Sequence, residues 1–266
     1  MNEFILNNEI AIRLIFFFGI FAVMAIWEII LPKRTLILPK MVRWANNLGL
    51  VVFNTLILRL IVPTAAVGVA TFVDKNGWGI LNYYDLPPAM AIIITLIAMD
   101  FIIYLQHVMA HAIPLFWRLH RVHHADLDYD VTTGARFHTI EIILSMLIKF
   151  ATIIVLGAPV VAVILFEIML NAMAMFNHGN VGLPRQLDNI LRWFIVTPDM
   201  HRIHHSIQVD ETNSNFGFNL SCWDRVLGTY RHEPRGGEGN MRIGIQNLID
   251  PKQVMWMTGM LILPFI

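Results

Sequence analysis

The sequence predicts an all-α, polytopic membrane protein with about four to five transmembrane or re-entrant helices and a cytoplasmic, histidine-rich helical cap. Three observations predict it. Hydrophobic residues make up 56% of the chain and charged residues only 14%, against roughly 45–50% and about 25% in soluble domains. The apolar residues come in runs long enough to cross a bilayer. Ten of the eleven histidines fall between His107 and His205, most of them in tight clusters.

The elements follow in order. Leu14 to Leu31 is an apolar run with Glu28 as its one charge. At about 1.5 Å per residue it nearly crosses a hydrocarbon core of roughly 30 Å. It lacks a basic leader and a small-residue cleavage site, so it reads as a retained helix rather than a signal peptide. A basic linker follows, with Lys33, Arg34, Lys40 and Arg43. Leu48 to Val73 is the second span and carries Arg59 and Pro63. The polar turn Asp74-Lys75-Asn76-Gly77 leads to Trp78, Tyr83 and Tyr84, an interfacial aromatic belt. Leu86 to Ile103 is the third span and runs directly into His107.

After the first two histidine clusters, Ile140 to Gly157 and Val160 to Phe176 read as a helical hairpin turning at Gly157-Ala158-Pro159. Lys149 and Glu167 sit in mid-segment, where a charge is costly. The hairpin is therefore expected to be re-entrant or to face protein rather than lipid. The tail from Val254 to Ile266 is too short to span and is placed at the interface. No internal repeat is evident, and residues 1–266 read as a single membrane-embedded domain.

Topology offers an independent check. The four basic residues of the linker belong on the cytoplasmic side by the positive-inside rule. The second span then runs outward and the third returns. A hairpin begins and ends on one side, so every histidine cluster falls on the cytoplasmic face. Lys plus Arg equal Asp plus Glu at 19 each, which argues against nucleic acid or another polyanion as partner. Cys222 is the only cysteine, so an internal disulfide and a cysteine-held cluster are both excluded.

The clusters read His107-x-x-x-His111, His120-x-x-His123-His124 and His201-x-x-His204-His205. Neutral imidazole suits Fe, Cu, Zn and Ni, and these ligands are too many for one tetrahedral ion. They suit two metal ions held close together. On a helix, His107 and His111 share a face, as do His120 and His124, with His123 adjacent. The third cluster repeats the second, with Pro198-Asp199 as the helix start. Glu167, Asn171, Ala174 and His178 form one helical stripe, which makes His178 a further candidate ligand. His138 is either a ligand or a residue bonded to Glu141. Asp100 shares a stripe with Tyr104 and His107. It is either an acceptor for a ligand N–H or a solvated helix-end carboxylate. Asn177 and Asp199, beside candidate ligands, are counted with Asn171 among possible supporting residues. His232, in a charged loop, reads as solvated.

These boxes, on a chain with paired membrane helices, resemble the fatty acid hydroxylase/sterol desaturase superfamily. The resemblance runs from about residue 100 to 231. Its most specific stretches are His120-Arg-Val-His-His-Ala-Asp, Thr133-Gly-Ala-Arg-Phe-His-Thr-Ile-Glu, Pro198-Asp-Met-His-Arg-Ile-His-His-Ser, Asn213-Ser-Asn-Phe-Gly and Trp223-Asp-Arg-Val-Leu-Gly-Thr-Tyr. It implies a membrane di-iron oxygenase that oxidises an unactivated C–H bond of a lipid with O₂ and two electrons. By the family's pattern the ligands would be His107, His111, His120, His123, His124, His178, His201, His204 and His205. The sequence departs from the pattern in two places. Ala174 stands where several relatives have a further histidine, and Gln106-His107-Val108 lacks the usual neighbours of the first box.

The resemblance implies two iron ions, O₂ as co-substrate, a lipid substrate and a membrane setting. Without a cysteine-rich module or a haem or flavin domain, electrons are expected from a separate ferredoxin or cytochrome b5 type donor with its reductase. Hydroxylation is the expected outcome, with desaturation on the same site as the alternative. A di-zinc membrane hydrolase or a metal transporter fits less well. No His-Glu-x-x-His motif occurs, and transport sites lie nearer the bilayer midplane. Phe101, Phe116, Trp117, Phe137 and Met175 are candidate pocket lining. A bacterial inner membrane is favoured over the endoplasmic reticulum.

Overall fold

The computed structural model describes residues 4–5, 8–62, 64–84 and 86–266. The long helices are α1 (Glu9–Ile30), α2 (Lys40–Ile61), α3 (Ala66–Asn76), α4 (Pro88–Ala112), α5 (Pro114–His124), α6 (Thr139–Leu156) and α7 (Val160–Asn177). Shorter helices follow: α8 (Arg185–Leu191), α9 (Pro198–His204), α10 (Cys222–Val226) and α11 (Met257–Ile262). No β-strand occurs among the described residues; three isolated bridges tie loops together. Five helical stretches are long and apolar enough to cross a membrane: Glu9–Ile30, Lys40–Tyr83, Pro88–Ala112, Thr139–Leu156 and Val160–Asn177. The all-α, multi-pass reading holds.

The second span is not one helix. α2 starts at Lys40, within the basic linker, and ends at Ile61. Val62 leaves the helical region at φ −131° and ψ 80°, as the residue before a proline is driven to do. Pro63 itself lies outside the described residues. α3 then ends at Gly77, whose φ of 64° closes the helix in the left-handed conformation that glycine adopts without strain. The predicted third span starts at Pro88, in the first helical position where a missing N–H costs nothing. It continues to Ala112, so His107 and His111 ride on its last two turns.

α6 and α7 form the predicted hairpin, with Gly157 at φ 71° in the turn. Each has 18 residues, about 27 Å at 1.5 Å per residue, close to a full crossing. Lys149 and Glu167 face each other across it, Nζ to Oε1 at 2.7 Å, and Arg13 of α1 reaches the second oxygen of Glu167 at 3.2 Å. The mid-segment charges thus meet inside the bundle, as the protein-facing option required.

One apolar cluster (Ala66, Ala70, Val73, Met99, Ile153, Val163 and Phe166) joins α3, α4, α6 and α7. A second joins Leu50 and Val122 to Val254, Met260 and Leu263. The C-terminal tail therefore packs on α2 and α5 rather than only resting at an interface. Its carbonyls are held by arginines of α5, Arg118 Nε to Pro264 O at 2.7 Å and Arg121 to Leu263 and Ile266. A third cluster seats Met24 of α1 against Met175 and Val181.

The linker also differs from a simple basic patch. Arg43 is fully buried. It donates to Asp126 at 3.0 and 2.7 Å and to Asp130 at 2.6 Å. This bridge ties α2 to the segment that leaves the second histidine box. Glu28, the lone charge of the first span, accepts the N–H groups of Val131 and Asn180 at 2.6 and 2.8 Å.

Candidate metal centre

Prolines aim the histidine helices. Ile113 is extended because Pro114 follows it, so α5 breaks away from α4 and returns its histidines toward His107 and His111. α9 is opened by Pro198 in its first position and by Thr197, whose Oγ1 accepts the Met200 N–H at 3.3 Å. His178 is the residue that ends α7.

The nine histidines form two adjoining groups. His107, His111, His120, His124 and His204 make one; His123, His178, His201 and His205 make the other. Within each, one ring nitrogen per residue lies within 4.8 Å of all the others. The three i, i+4 pairs stay together, as helical spacing demands. The middle histidine of each His-x-x-His-His box crosses over: His123 joins the His201–His205 pair, and His204 joins the His120–His124 pair. The groups meet at His124 and His205, whose rings stack with centroids 4.4 Å apart and planes 14° apart.

The outer shell sets the tautomers. His107 Nδ1 lies 2.8 Å from Phe216 O, His204 Nδ1 2.8 Å from Ser214 O, and His178 Nδ1 2.7 Å from Ala174 O. A carbonyl can only accept, so Nδ1 carries the proton and Nε2 keeps its lone pair. His120 Nδ1 meets Glu141 Oε1 at 2.6 Å, and His111 Nδ1 meets Asn213 Oδ1 at 3.3 Å. The freed Nε2 atoms of His107, His111, His120 and His204, and both ring nitrogens of His124, are buried without a hydrogen-bond partner. In the second group, Nε2 of His178 has Nε2 of His123 at 3.1 Å and of His201 at 3.0 Å. Both ring nitrogens of His205 are unpartnered. Leaving so many buried acceptors unmatched would cost about 1–3 kcal/mol each. Two cations, one per group, would match them, so the residues fit a two-metal site.

Burial keeps the cluster in its metal-binding form. It pushes His123, His124, His201, His204 and His205 well below the ordinary imidazole value, and neighbouring imidazoles add to the effect. His178 is pushed down to about 4 by burial, against the opposing pull of the Ala174 carbonyl. A neutral imidazole is the state a metal requires.

The other candidate residues fall outside the two groups. His138 is the N-cap of α6: its Nδ1 accepts the Ile140 N–H at 3.2 Å and its Nε2 lies 3.3 Å from Leu261 O. The partner expected for it, Glu141, bonds His120 instead, because Glu141 points back over α5 from the first turn of α6. Asp100 is buried, not solvated, and touches no histidine. It accepts Trp223 Nε1 at 2.8 Å and the N–H groups of Asn219 and Leu220. It thereby ties the loop that carries the Phe216 carbonyl to α4. Asn177 donates to Phe218 O at 2.6 Å in that same loop. Asp199 pairs with Arg202 and Lys33. Asn171 donates to Glu167 O at 2.9 Å. His232 is exposed, as expected.

Sequence reasoning missed the acceptors in residues 213–216, although that stretch was singled out. Two of them are main-chain carbonyls, on which no side chain reports. Two side-chain hints exist. Asn215 sits at φ 53° and donates to Met200 O and Arg231 O. Asp224 accepts the N–H groups of Phe216 and Gly217 at 2.7 and 2.8 Å. Gly134, in the stretch that leads to His138, has a steric role: a Cβ there would lie 2.4 Å from Ala174 O and 2.9 Å from His178 Nδ1.

A cavity of about 330 Å³ opens from the histidines. His107, His120, His123 and His201 form one end, and α1, α2, α6 and α7 form its walls. Of the five candidate lining residues, Phe137 and Met175 line it; Phe101, Phe116 and Trp117 do not. Phe137 stacks on His123 with centroids 4.4 Å apart. Phe101 packs on Trp223 instead, and Trp117 on His111.

A helical bundle of membrane-type spans with two buried all-histidine groups opening on a cavity is an architecture that could hold two metal ions within a membrane protein. The family model for fatty acid hydroxylase matches residues 92–229, and the chain belongs to that family. It is 32% identical over 150 residues to an ornithine lipid hydroxylase of Rhizobium tropici, covering 56% of this chain and 44% of that one. It is 29% identical over 142 residues to an alkylglycerol monooxygenase of Xenopus tropicalis and 26% identical to that of Homo sapiens. Each of these two matches covers 52% of this chain and 30% of the relative. The matches therefore span less than half the length of those relatives. No solved structure matches the chain.

Proposed function

We propose that this protein is a membrane-bound di-iron oxygenase that hydroxylates an unactivated C–H bond of a lipid. The observation that carries the reading is the pair of buried histidine groups, with tautomers set so that lone pairs face inward, at the end of a cavity within the helical bundle. Family membership and the names of the relatives, a lipid hydroxylase and alkylglycerol monooxygenases, support it. His107, His111, His120, His124 and His204 would hold one iron, and His123, His178, His201 and His205 the other. Bound there, the irons would supply the two-electron activation of O₂. The balance is R–H + O₂ + 2 e⁻ + 2 H⁺ → R–OH + H₂O, with electrons from a separate ferredoxin or cytochrome b5 type donor. The chain's own residues set imidazole tautomers through Glu141 and the carbonyls of Phe216, Ser214 and Ala174. Phe137 and Met175, which line the cavity beside the histidines, would shield the reacting carbon from bulk water. In this reading residues 1–266 act as one membrane-embedded domain, with the site on the cytoplasmic side of a bacterial inner membrane.

The test compares the lipids of cells grown under ¹⁸O₂ that express this chain or its His123→Ala/His124→Ala variant. A lipid that gains one ¹⁸O only with the intact chain establishes the hydroxylase. An unlabelled lipid two mass units lighter assigns desaturation instead. No lipid difference, with folded protein and a donor supplied, overturns the oxygenase reading.

A further inference from the structure

The cavity's other end is charged. Arg13, Lys149 and Glu167 all line it. Lys149 Nζ lies 2.7 Å from Glu167 Oε1, and Arg13 Nη2 lies 3.2 Å from Glu167 Oε2. The side chains of Lys149 and Glu167 are only 10% and 5% exposed. Glu167 stands eleven residues before His178 on the same stripe of α7, about 16 Å along the axis at 1.5 Å per residue. Asn171 on that stripe, and Ser145 one turn before Lys149 on α6, carry the polar wall toward the histidines.

Because α3 and α4 already connect the two helices through the apolar cluster, joining α6 to α7 does not require these charges. Each costs about 2.5–3.5 kcal/mol within a span, and an apolar pair of similar volume often serves as well. The pairing also leaves capacity unused. The Lys149 ammonium has three N–H donors and makes one hydrogen bond. Arg13 has a second carboxylate, Glu9, at 2.9 Å, but Glu9 does not line the cavity. This end of the cavity therefore presents two cations to one carboxylate; the other lining carboxylate, Glu141, bonds His120 at the histidine end.

We propose that Arg13 and Lys149 bind an anionic oxygen group of the substrate, a carboxylate or a phosphate, with Glu167 positioning the two cations. The substrate class is then a long-chain amphiphile whose anionic group sits at the end of the cavity away from the histidines, so that oxidation falls at a fixed distance along its chain. The position of oxidation rests on the oxygenase reading; the anion site does not.

The test is binding, without turnover. The metal-loaded protein in phosphatidylcholine nanodiscs is titrated with tetradecanoate, tetradecyl phosphate, tetradecanol and tetradecyltrimethylammonium, following tryptophan fluorescence. At least one of the two anionic chains is expected to bind more tightly than the alcohol and the cation, and which one binds separates carboxylate from phosphate. Lys149→Met should weaken the anionic chain by roughly tenfold and leave the alcohol unchanged, and Lys149→Arg should restore the preference. Should the single variant misfold, Arg13→Met/Lys149→Met/Glu167→Leu replaces the whole cluster with an apolar unit and should bind all four chains alike. Equal binding of anionic and neutral chains by the intact protein, a preference for the cation, or an equal loss for both chains in Lys149→Met overturns the proposal. A protein that prefers the anionic chain yet never incorporates ¹⁸O retains the anion site and loses the oxygenase reading.

Discussion

Glu141 offers a measurement confined to one half of the site. Its Oε1 lies 2.6 Å from His120 Nδ1, and its side chain is 13% exposed, so solvent screens the contact little. The carboxylate orients the ring and raises the electron density at Nε2, which points into the five-histidine group. Glu141→Gln keeps the size and removes the charge. Losing such an outer partner typically weakens metal affinity about 10–100-fold, or about 1.4–2.8 kcal/mol. The short distance and low exposure place the expected loss in the upper half of that range. The loss should also be unequal. His120 belongs to the five-histidine group, while none of His123, His178, His201 and His205 touches Glu141 among the hydrogen bonds found. Titration of the iron-loaded protein with a graded chelator should therefore release one iron early and the second at the wild-type chelator concentration. Glu141→Asp, which keeps the charge on a shorter arm, should fall between. Equal weakening of both irons, or release curves superimposable on wild type, would refute the argument that each group has its own outer shell.

Other outcomes follow from the same geometry. Gly134→Ala would drive a Cβ to 2.4 Å from Ala174 O; the displacement of α7 should cost about 1–3 kcal/mol and loosen any metal bound at the His178 group, read as a lower melting temperature with early loss of one of two bound ions. Arg43→Met would leave Asp126 and Asp130 buried without their guanidinium and should destabilise the fold by about 3–5 kcal/mol, measured by denaturant unfolding in detergent; a change under about 1 kcal/mol would show that the bridge is not structural. The pH dependence has a definite sign. His178 falls from 6.5 in the unfolded chain to about 4 in the fold, and His123, His124, His201, His204 and His205 also shift downward. Below about 6.5 the unfolded chain binds protons that the folded chain excludes. The stability of the metal-free protein should thus be fully present above about pH 6.5 and fall as the pH approaches 4; a melting temperature that rises on acidification would contradict it.

Much of the site was legible in the residues because helices convert spacing into direction. Positions four apart share a face, so His107 with His111, His120 with His124, and His201 with His205 could be paired on paper. The stripe from Glu167 to His178 was legible for the same reason, and so was the hairpin at Gly157. The break after Ile61 was less so. Hydropathy continues through it, and only Pro63 marks the place where the backbone must leave the helix. His138 and Asp100 show the limit from the other side. Both have the right chemistry near the right motif. One caps α6 and the other anchors the 219–223 loop, because a side chain's partner is set by which segment packs above it.

The sequence by itself determined the all-α membrane class, the set of nine clustered histidines and their likeness to one superfamily, since composition, run length and helical period are local properties of the chain. Only the tertiary structure decided how the nine divide. Within a box, His123 and His204 point away from the shared face of their i, i+4 neighbours, and spacing says no more than that. The packing of α5 on α4 and α6, and of α9 on α7, sends each to the opposite group. Contacts across more than a hundred residues, such as Phe216 O on His107, then fix which nitrogen of the ring is left free. The charged end of the cavity has the same origin. Arg13, Lys149 and Glu167 lie on three helices and share no motif, and they meet because α1 packs against α7 while the long Lys149 side chain reaches Glu167 from α6.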